Sequence, residues 1–143
     1  MRYETATNRA DERATADVLE PVWHCKLRRL PPLSPVDYYA ERDDRLVALV
    51  EIKCRERPLS AYPVVWIDAH KWWMMRDAAE GFHTRALFVV RCSDVILYCD
   101  LESVDGAPGV RTWVGGRTDR NDANDRDLIV CIPREHFHTV PLP

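Results

Sequence analysis

The order of elements legible in the sequence, α-β-β-β-α-β-β, predicts a mixed α/β sandwich rather than a chain of alternating βα units. Three observations lead there. A polar-capped helical stretch opens the chain, three strand-like runs follow it before the next helical stretch, and two more strands come straight after that. With 143 residues, 46% of them hydrophobic and 30% charged, residues 1–143 are expected to form one globular domain. A chain of this size buries about two-thirds of its unfolded surface, enough to fold without a disulfide or structural zinc.

Residues 8–20 read as the first helix, with Asn8 as N-cap, Asp11 and Glu12 in the first turn and Pro21 as its stop. Val22–Leu30 alternates, Trp23, Cys25 and Leu27 on one face and His24, Lys26 and Arg28 on the other, which predicts a strand broken by Pro31-Pro32. Val36–Glu41 and Leu46–Cys54 form a predicted hairpin around the polar turn Arg42-Asp43-Asp44-Arg45. Asp68 is placed to cap a second helix over Ala69–Glu80, with Gly81 as its left-handed C-terminal residue. Arg85–Arg91 and Val95–Leu101 are two further strands around Cys92-Ser93-Asp94. Beyond them the pattern weakens. Gly106–Gly109 and the Arg/Asp/Asn-dense Gly115–Asp127 read as loops, Trp113 and Leu128–Ile132 as edge strands, and Pro133–His138 as a last turn.

The net charge of −3 removes the strong basic field of a non-specific DNA coat, yet leaves room for acidic metal ligands beside a local basic patch. Of the 20 basic residues only Lys26, Lys53 and Lys71 are lysines. The five cysteines form no C-x-x-C pair, which excludes a zinc ribbon and a thioredoxin-type site and predicts reduced, buried thiols. The start of the chain is polar, and Leu46–Val50 and Ala86–Val90 are far too short to span a bilayer. A soluble, cytoplasmic protein with no membrane partner is expected.

The chemistry concentrates in the hairpin. Glu51 and Lys53 share a strand face with Leu49, while Val50, Ile52 and Cys54 point the other way, toward the expected core. Two charged residues closing an apolar strand break the local pattern, as functional residues often do. Across the turn Asp37 shares its face with Tyr39 and Glu41. A three-residue loop centred on Asp44 sets Asp37 opposite Glu51, whereas a two-residue loop pairs it with Val50 and turns the carboxylates to opposite faces. The functional reading therefore requires the odd-length loop or a bulge. Two carboxylates brought together repel each other unless a cation lies between them, and Mg²⁺ takes one or two carboxylates plus water and phosphate oxygens. A lysine alongside can orient the attacking water and offset charge as a phosphodiester is hydrolysed.

Ser34-Pro35-Val36-Asp37 followed by Leu46-Val47-Ala48-Leu49-Val50-Glu51-Ile52-Lys53 resembles the PD-(D/E)XK nuclease superfamily, most nearly the small single-domain nucleases of phages and prophages. The likeness spans residues 8–102 and leaves 103–143 as an extension of unassigned role. It implies a restriction-endonuclease-like core, αβββαβ, with a mixed central sheet flanked by helices. It implies Asp37 and Glu51 as metal ligands, Lys53 as the catalytic lysine, and a carboxylate from the first helix, Glu12 before Glu20. Lys71 stands where the family commonly has Gln, and the proline of the motif is one residue early.

Arg55 and Arg57 continue the Lys53 face, and Arg28 and Arg29 lie on the neighbouring strand. With Lys71 they are the candidate contacts to a nucleic-acid backbone. Trp66, Trp72, Trp73 and Met74 are expected to pack helix against sheet rather than stack on bases, and His136 and His138 are not expected to hold a metal. The expected activity is Mg²⁺-dependent hydrolysis of DNA in phage or prophage DNA processing, Mn²⁺ substituting. A homodimer or docking on a larger DNA-processing complex goes with it. The alternatives are a non-catalytic phage accessory or structural protein of the same fold, and a junction-resolving or repair nuclease.

Overall fold

The computed structural model describes residues 6–116 and 126–143, so the middle of the Gly115–Asp127 stretch lies outside them. Among the described residues three α-helices, α1 (Ala6–Trp23), α2 (Ala69–Gly81) and the short α3 (Leu101–Val104), accompany nine strands. The strands are β1 (Lys26–Arg29), β2 (Tyr38–Arg42), β3 (Arg45–Cys54), β4 (Val64–Asp68), β5 (Arg85–Arg91), β6 (Val95–Asp100), β7 (Arg111–Gly116), β8 (Arg126–Pro133) and β9 (His138–Pro141). The main sheet runs β1-β2-β3-β5-β6-β9, and β4-β8-β7 form a second, three-stranded sheet. Among the described strands only β3 and β5 pair in parallel, joined across β4 and α2; the other ladders are antiparallel. The predicted mixed sheet flanked by helices is present, with β4 inserted ahead of α2.

A strand paired in the middle of a sheet and covered on both sides must bury both its faces. On one face of β3, Val50 and Ile52 meet Ala16 and Leu19 of α1 together with Tyr38 and Val89. On the other, Leu49 joins Phe88 and Val90 beneath Trp72 and Met75 of α2 and Ile67 and Ile132 of the second sheet. This corrects the sequence expectation that only the Val50–Ile52–Cys54 face is core. The Glu51–Lys53 face is buried too from Leu49 as far as Glu51, and Lys53 at its end is partly exposed.

The helix ends also differ from expectation. Helix α1 begins before Asn8 and runs through Pro21 to Trp23, so Val22–Cys25 is not strand and β1 is only four residues long. Pro21 sits in the last turn, where its missing N–H removes one bond without preventing two more helical residues. The helix closes at His24, left-handed at φ 55°, with Cys25 N–H donating back to the Glu20 carbonyl. Helix α2 closes the same way. His83, not Gly81, is left-handed at φ 54°, and Thr84 N–H donates to the Ala79 carbonyl. Arg42 of the hairpin donates to the carbonyls of Trp23 and His24, pinning β2 to the end of α1.

Two side chains of α1 replace a missing strand along the edge of β1. Glu20 accepts from the Leu27 N–H at 2.8 Å, and Arg13 donates to the Leu27 carbonyl at 2.7 Å while pairing with Glu20 at 3.2 Å. The open edge is thereby partly closed to foreign strands.

The chain's end is more ordered than its pattern suggested. Pro133–His138 is a 3-10 turn at Arg134–His136 followed by β9, which returns to the main sheet beside β6. Gly115, Gly116, Arg126 and Asp127 belong to β7 and β8 rather than to a loop. Of the tryptophans named above, Trp72 is buried, whereas Trp66 and Trp73 are about half exposed, so only the first packs as expected.

All five cysteines are free, but only Cys92, Cys99 and Cys131 are buried as expected; Cys25 and Cys54, beside the ends of α1 and β3, are half-buried. Burial raises every thiol pKa above its ordinary value, Cys99 to about 12. A raised pKa leaves little thiolate at pH 8, so the native protein should react slowly with Ellman's reagent and release five equivalents only in guanidinium. A fast native equivalent would contradict the packing around these thiols.

Candidate active site

The hairpin turn is the two-residue Asp43-Asp44, both left-handed at φ 52° and 60°, the conformation that matches the twist of paired strands. Taken alone, that turn would set Asp37 against Val50. A bulge between Ala40 and Glu41 shifts the register, giving Ala40↔Ala48, Tyr39↔Leu49 and Tyr38↔Val50. Continued one residue past the last pair, this register sets Asp37 across from Glu51. The Leu30 N–H donates to the Asp37 carbonyl at 2.8 Å, holding this end of the chain in line with β1.

Glu51 has no exposed surface and Asp37 is buried. Lys53, two residues along β3, brings Nζ to 3.3 Å from Glu51 Oε2. From the other side Lys71 brings Nζ to 3.5 Å from Glu51 Oε1 and donates to the Pro35 carbonyl at 3.0 Å. Lys71 is held there by the start of α2, where the Asp68 carboxylate accepts from the N–H groups of His70 and Lys71, as its predicted capping role requires. The site thus gathers the loop at Pro35–Asp37, the end of β3 and the first turn of α2. Lys71 belongs to its centre, which reading it only as a backbone contact missed; the single signal was its place at the head of a capped helix.

The first-helix carboxylates separate in role. Glu20 is committed to the β1 edge. Glu12 is buried and accepts from Arg29 at 2.7 Å, and the Arg13 and Arg29 guanidiniums each lie 5.7 Å from the centre of the Tyr38 ring. Burial raises the Tyr38 pKa, opposed by its hydrogen bond with Arg29, so this ring stays a neutral phenol. Arg29 and Tyr38 are register partners and share the α1 face of the sheet, one residue from Asp37 on the opposite face.

The arginines are less concentrated. Arg55 and Arg57 are exposed just beyond β3, the Arg55 guanidinium resting on its neighbour's carbonyl. Arg28 is exposed but paired with Glu41 at 3.4 Å. His136 contacts the Pro108 carbonyl and His138 stacks at 5.0 Å on Tyr98, so the two histidines serve separate packing roles. A concavity of about 1630 Å³ wraps the other end of the sheet around Arg42, Arg85 and Asp100 and includes none of the candidate residues.

The donor chemistry fits a hard divalent cation, with two carboxylates supplying only oxygen. Among the described residues no three His, Cys, Asp or Glu side chains gather into a metal-holding group. A pair is a number that Mg²⁺ accepts, because it keeps several waters.

A family model described as "Phage putative PDDEXK endonuclease" matches residues 1–140. The chain belongs to this family. No curated protein matches it. Among solved structures it is similar to Hjc, a Holliday junction resolvase from the archaeal hyperthermophile Archaeoglobus fulgidus. The identity is 13% and the TM-score 0.56, over 92% of this chain and 90% of that one. At that identity the likeness shows a shared fold. The match carries the PDDEXK family past the core at 8–102 into the C-terminal strands. A restriction-endonuclease-like nuclease fold, and phosphodiester hydrolysis as its chemistry, follow from the family.

Proposed function

We propose that the chain is a metal-dependent nuclease that hydrolyses DNA phosphodiester bonds in phage or prophage DNA processing. The observation that carries this reading is the bulged register, which ends at Tyr38↔Val50 and, carried on by one residue, faces Asp37 toward Glu51, with the Lys53 ammonium 3.3 Å from Glu51. Asp37 and Glu51 are the residues to hold Mg²⁺, or Mn²⁺ in its place. When bound, the ion supplies polarisation of the phosphoryl oxygen and acidifies water. Lys53 pairs with Glu51 and offers its ammonium to the water and to the charge that grows on the phosphorus oxygens. Arg55 and Lys71 bind the DNA backbone; Arg28 contributes only by exchanging its Glu41 partner for phosphate.

Residues 1–143 act as one domain, in the cytoplasm, either as a homodimer or docked on a larger DNA-processing complex. Among the described residues no helix is long and apolar enough to cross a membrane.

The test is cleavage of supercoiled plasmid, linear duplex, single-stranded circle and a branched junction, each with Mg²⁺, Mn²⁺ and EDTA. Metal-dependent cutting of any of them is expected. Failure on all four, alone and with host extract, would favour the accessory-protein reading. Glu12, which pairs with Arg29 at 2.7 Å, is proposed as the third ligand. Glu12→Gln is then expected to raise the Mg²⁺ concentration for half-maximal cutting several-fold, and an unchanged titration would leave Glu12 as the partner of Arg29 alone.

A further inference from the structure

We infer that Lys71 is a resident counter-ion of the metal site, one that must leave Glu51 before a divalent cation can bind there. The inference rests on the reading of Asp37 and Glu51 as metal ligands. Each oxygen of Glu51 faces an ammonium, Oε2 facing Lys53 at 3.3 Å and Oε1 facing Lys71 at 3.5 Å. Glu51 itself is fully buried, while the lysine side chains keep 26% and 22% of their surface. A cation arriving from solvent therefore meets ammonium groups before it meets this carboxylate, and like charges at such distances repel strongly.

The two lysines are not equally free to yield. Lys53 shares its strand face with Glu51, so β3 itself fixes their separation. Lys71 reaches in from another element, and its shorter contact is the 3.0 Å hydrogen bond to the Pro35 carbonyl. It can give up Glu51 and keep an acceptor. A cation that displaces it gains a carboxylate oxygen, at the cost of placing a double charge near a displaced ammonium.

The experiment measures Mn²⁺ binding to the DNA-free protein by the loss of the free-ion EPR signal, for wild type, Lys71→Gln, Lys71→Arg, Glu51→Gln and Lys71→Gln/Glu51→Gln. Gln retains a donor for the Pro35 carbonyl, and the helix cap uses only the backbone of residue 71, so thermal unfolding should confirm folding in each variant. Lys71→Gln is expected to bind Mn²⁺ on the order of tenfold more tightly than wild type. Lys71→Arg, which keeps the charge, should stay near the wild-type value. The gain should vanish in the double variant. Equal or weaker binding by Lys71→Gln, with Glu51-dependent binding still present in wild type, would overturn the counter-ion role and leave the ligand assignment standing. Binding that ignores Glu51 in every background would overturn both.

Discussion

Lys53→Ala is expected to lower metal-dependent DNA cleavage by roughly 10²–10⁴-fold, the range associated with loss of a positioned acid–base group. The protein should stay folded. The Lys53 side chain is 26% exposed and closes the end of an apolar strand rather than filling a core. Its removal leaves Lys71 beside Glu51, so the buried carboxylate keeps an ammonium and the fold does not gain a bare charge. Lys53→Arg should restore little activity. A broad planar guanidinium cannot occupy the point 3.3 Å from Glu51 Oε2 as a compact ammonium does. The check is plasmid nicking in Mg²⁺ beside far-UV circular dichroism of the same samples. Wild-type cutting by Lys53→Ala would remove Lys53 from the mechanism. Loss of cutting with an unchanged spectrum would assign it to the chemistry.

How far the site was legible follows from where its determinants lie. The spacing of Glu51 and Lys53, and the Asp68 cap that aims α2, are local patterns, and local patterns survive in sequence. The turn at Asp43-Asp44 was visible, but the bulge was not. Nothing in Ala40-Glu41 marks a register shift, because a bulge there is settled by what the two strands bury on either side. The burial of Glu51 and the arrival of Lys71 depend on α2 folding back over β3, a contact between elements far apart in the chain. Alternation was also hidden wherever both faces carry large side chains. Val64–Asp68 alternates exposed and buried, yet Val64 and Trp66 on its outer face are as apolar as Val65 and Ile67 within. Its partner β8 lies about sixty residues downstream, beyond the reach of a local pattern. Strand β9 buries only Val140 and contains Pro141, which an edge strand tolerates and a pattern search passes over.

Phe88→Ala should lower stability by about 3–5 kcal/mol, the usual loss for a large buried aromatic. For a chain of this size that corresponds to a fall in Tm of roughly 10–15 °C. Phe88 is 1% exposed and sits between the site and the C-terminal strands. It is the parallel partner of Glu51, the antiparallel partner of Cys99, and its ring lies 6.5 Å from that of Phe137, just ahead of β9. The cavity left by alanine therefore opens beneath β3 and the C-terminal extension together. If residues 103–143 belong to the same cooperative unit as the core, circular dichroism and tryptophan fluorescence should melt together in the variant. Trp66 and Trp113 report on the second sheet, Trp72 and Trp73 on α2, and Trp23 on α1. Cleavage should fail at the same lowered temperature. Two separated transitions, with the fluorescence change preceding loss of helix, would instead make the second sheet a unit that detaches while the site-bearing sheet survives. A drop below about 1 kcal/mol would mean that Phe137 and α2 close over the missing ring, and that the floor of the site is softer than its packing implies.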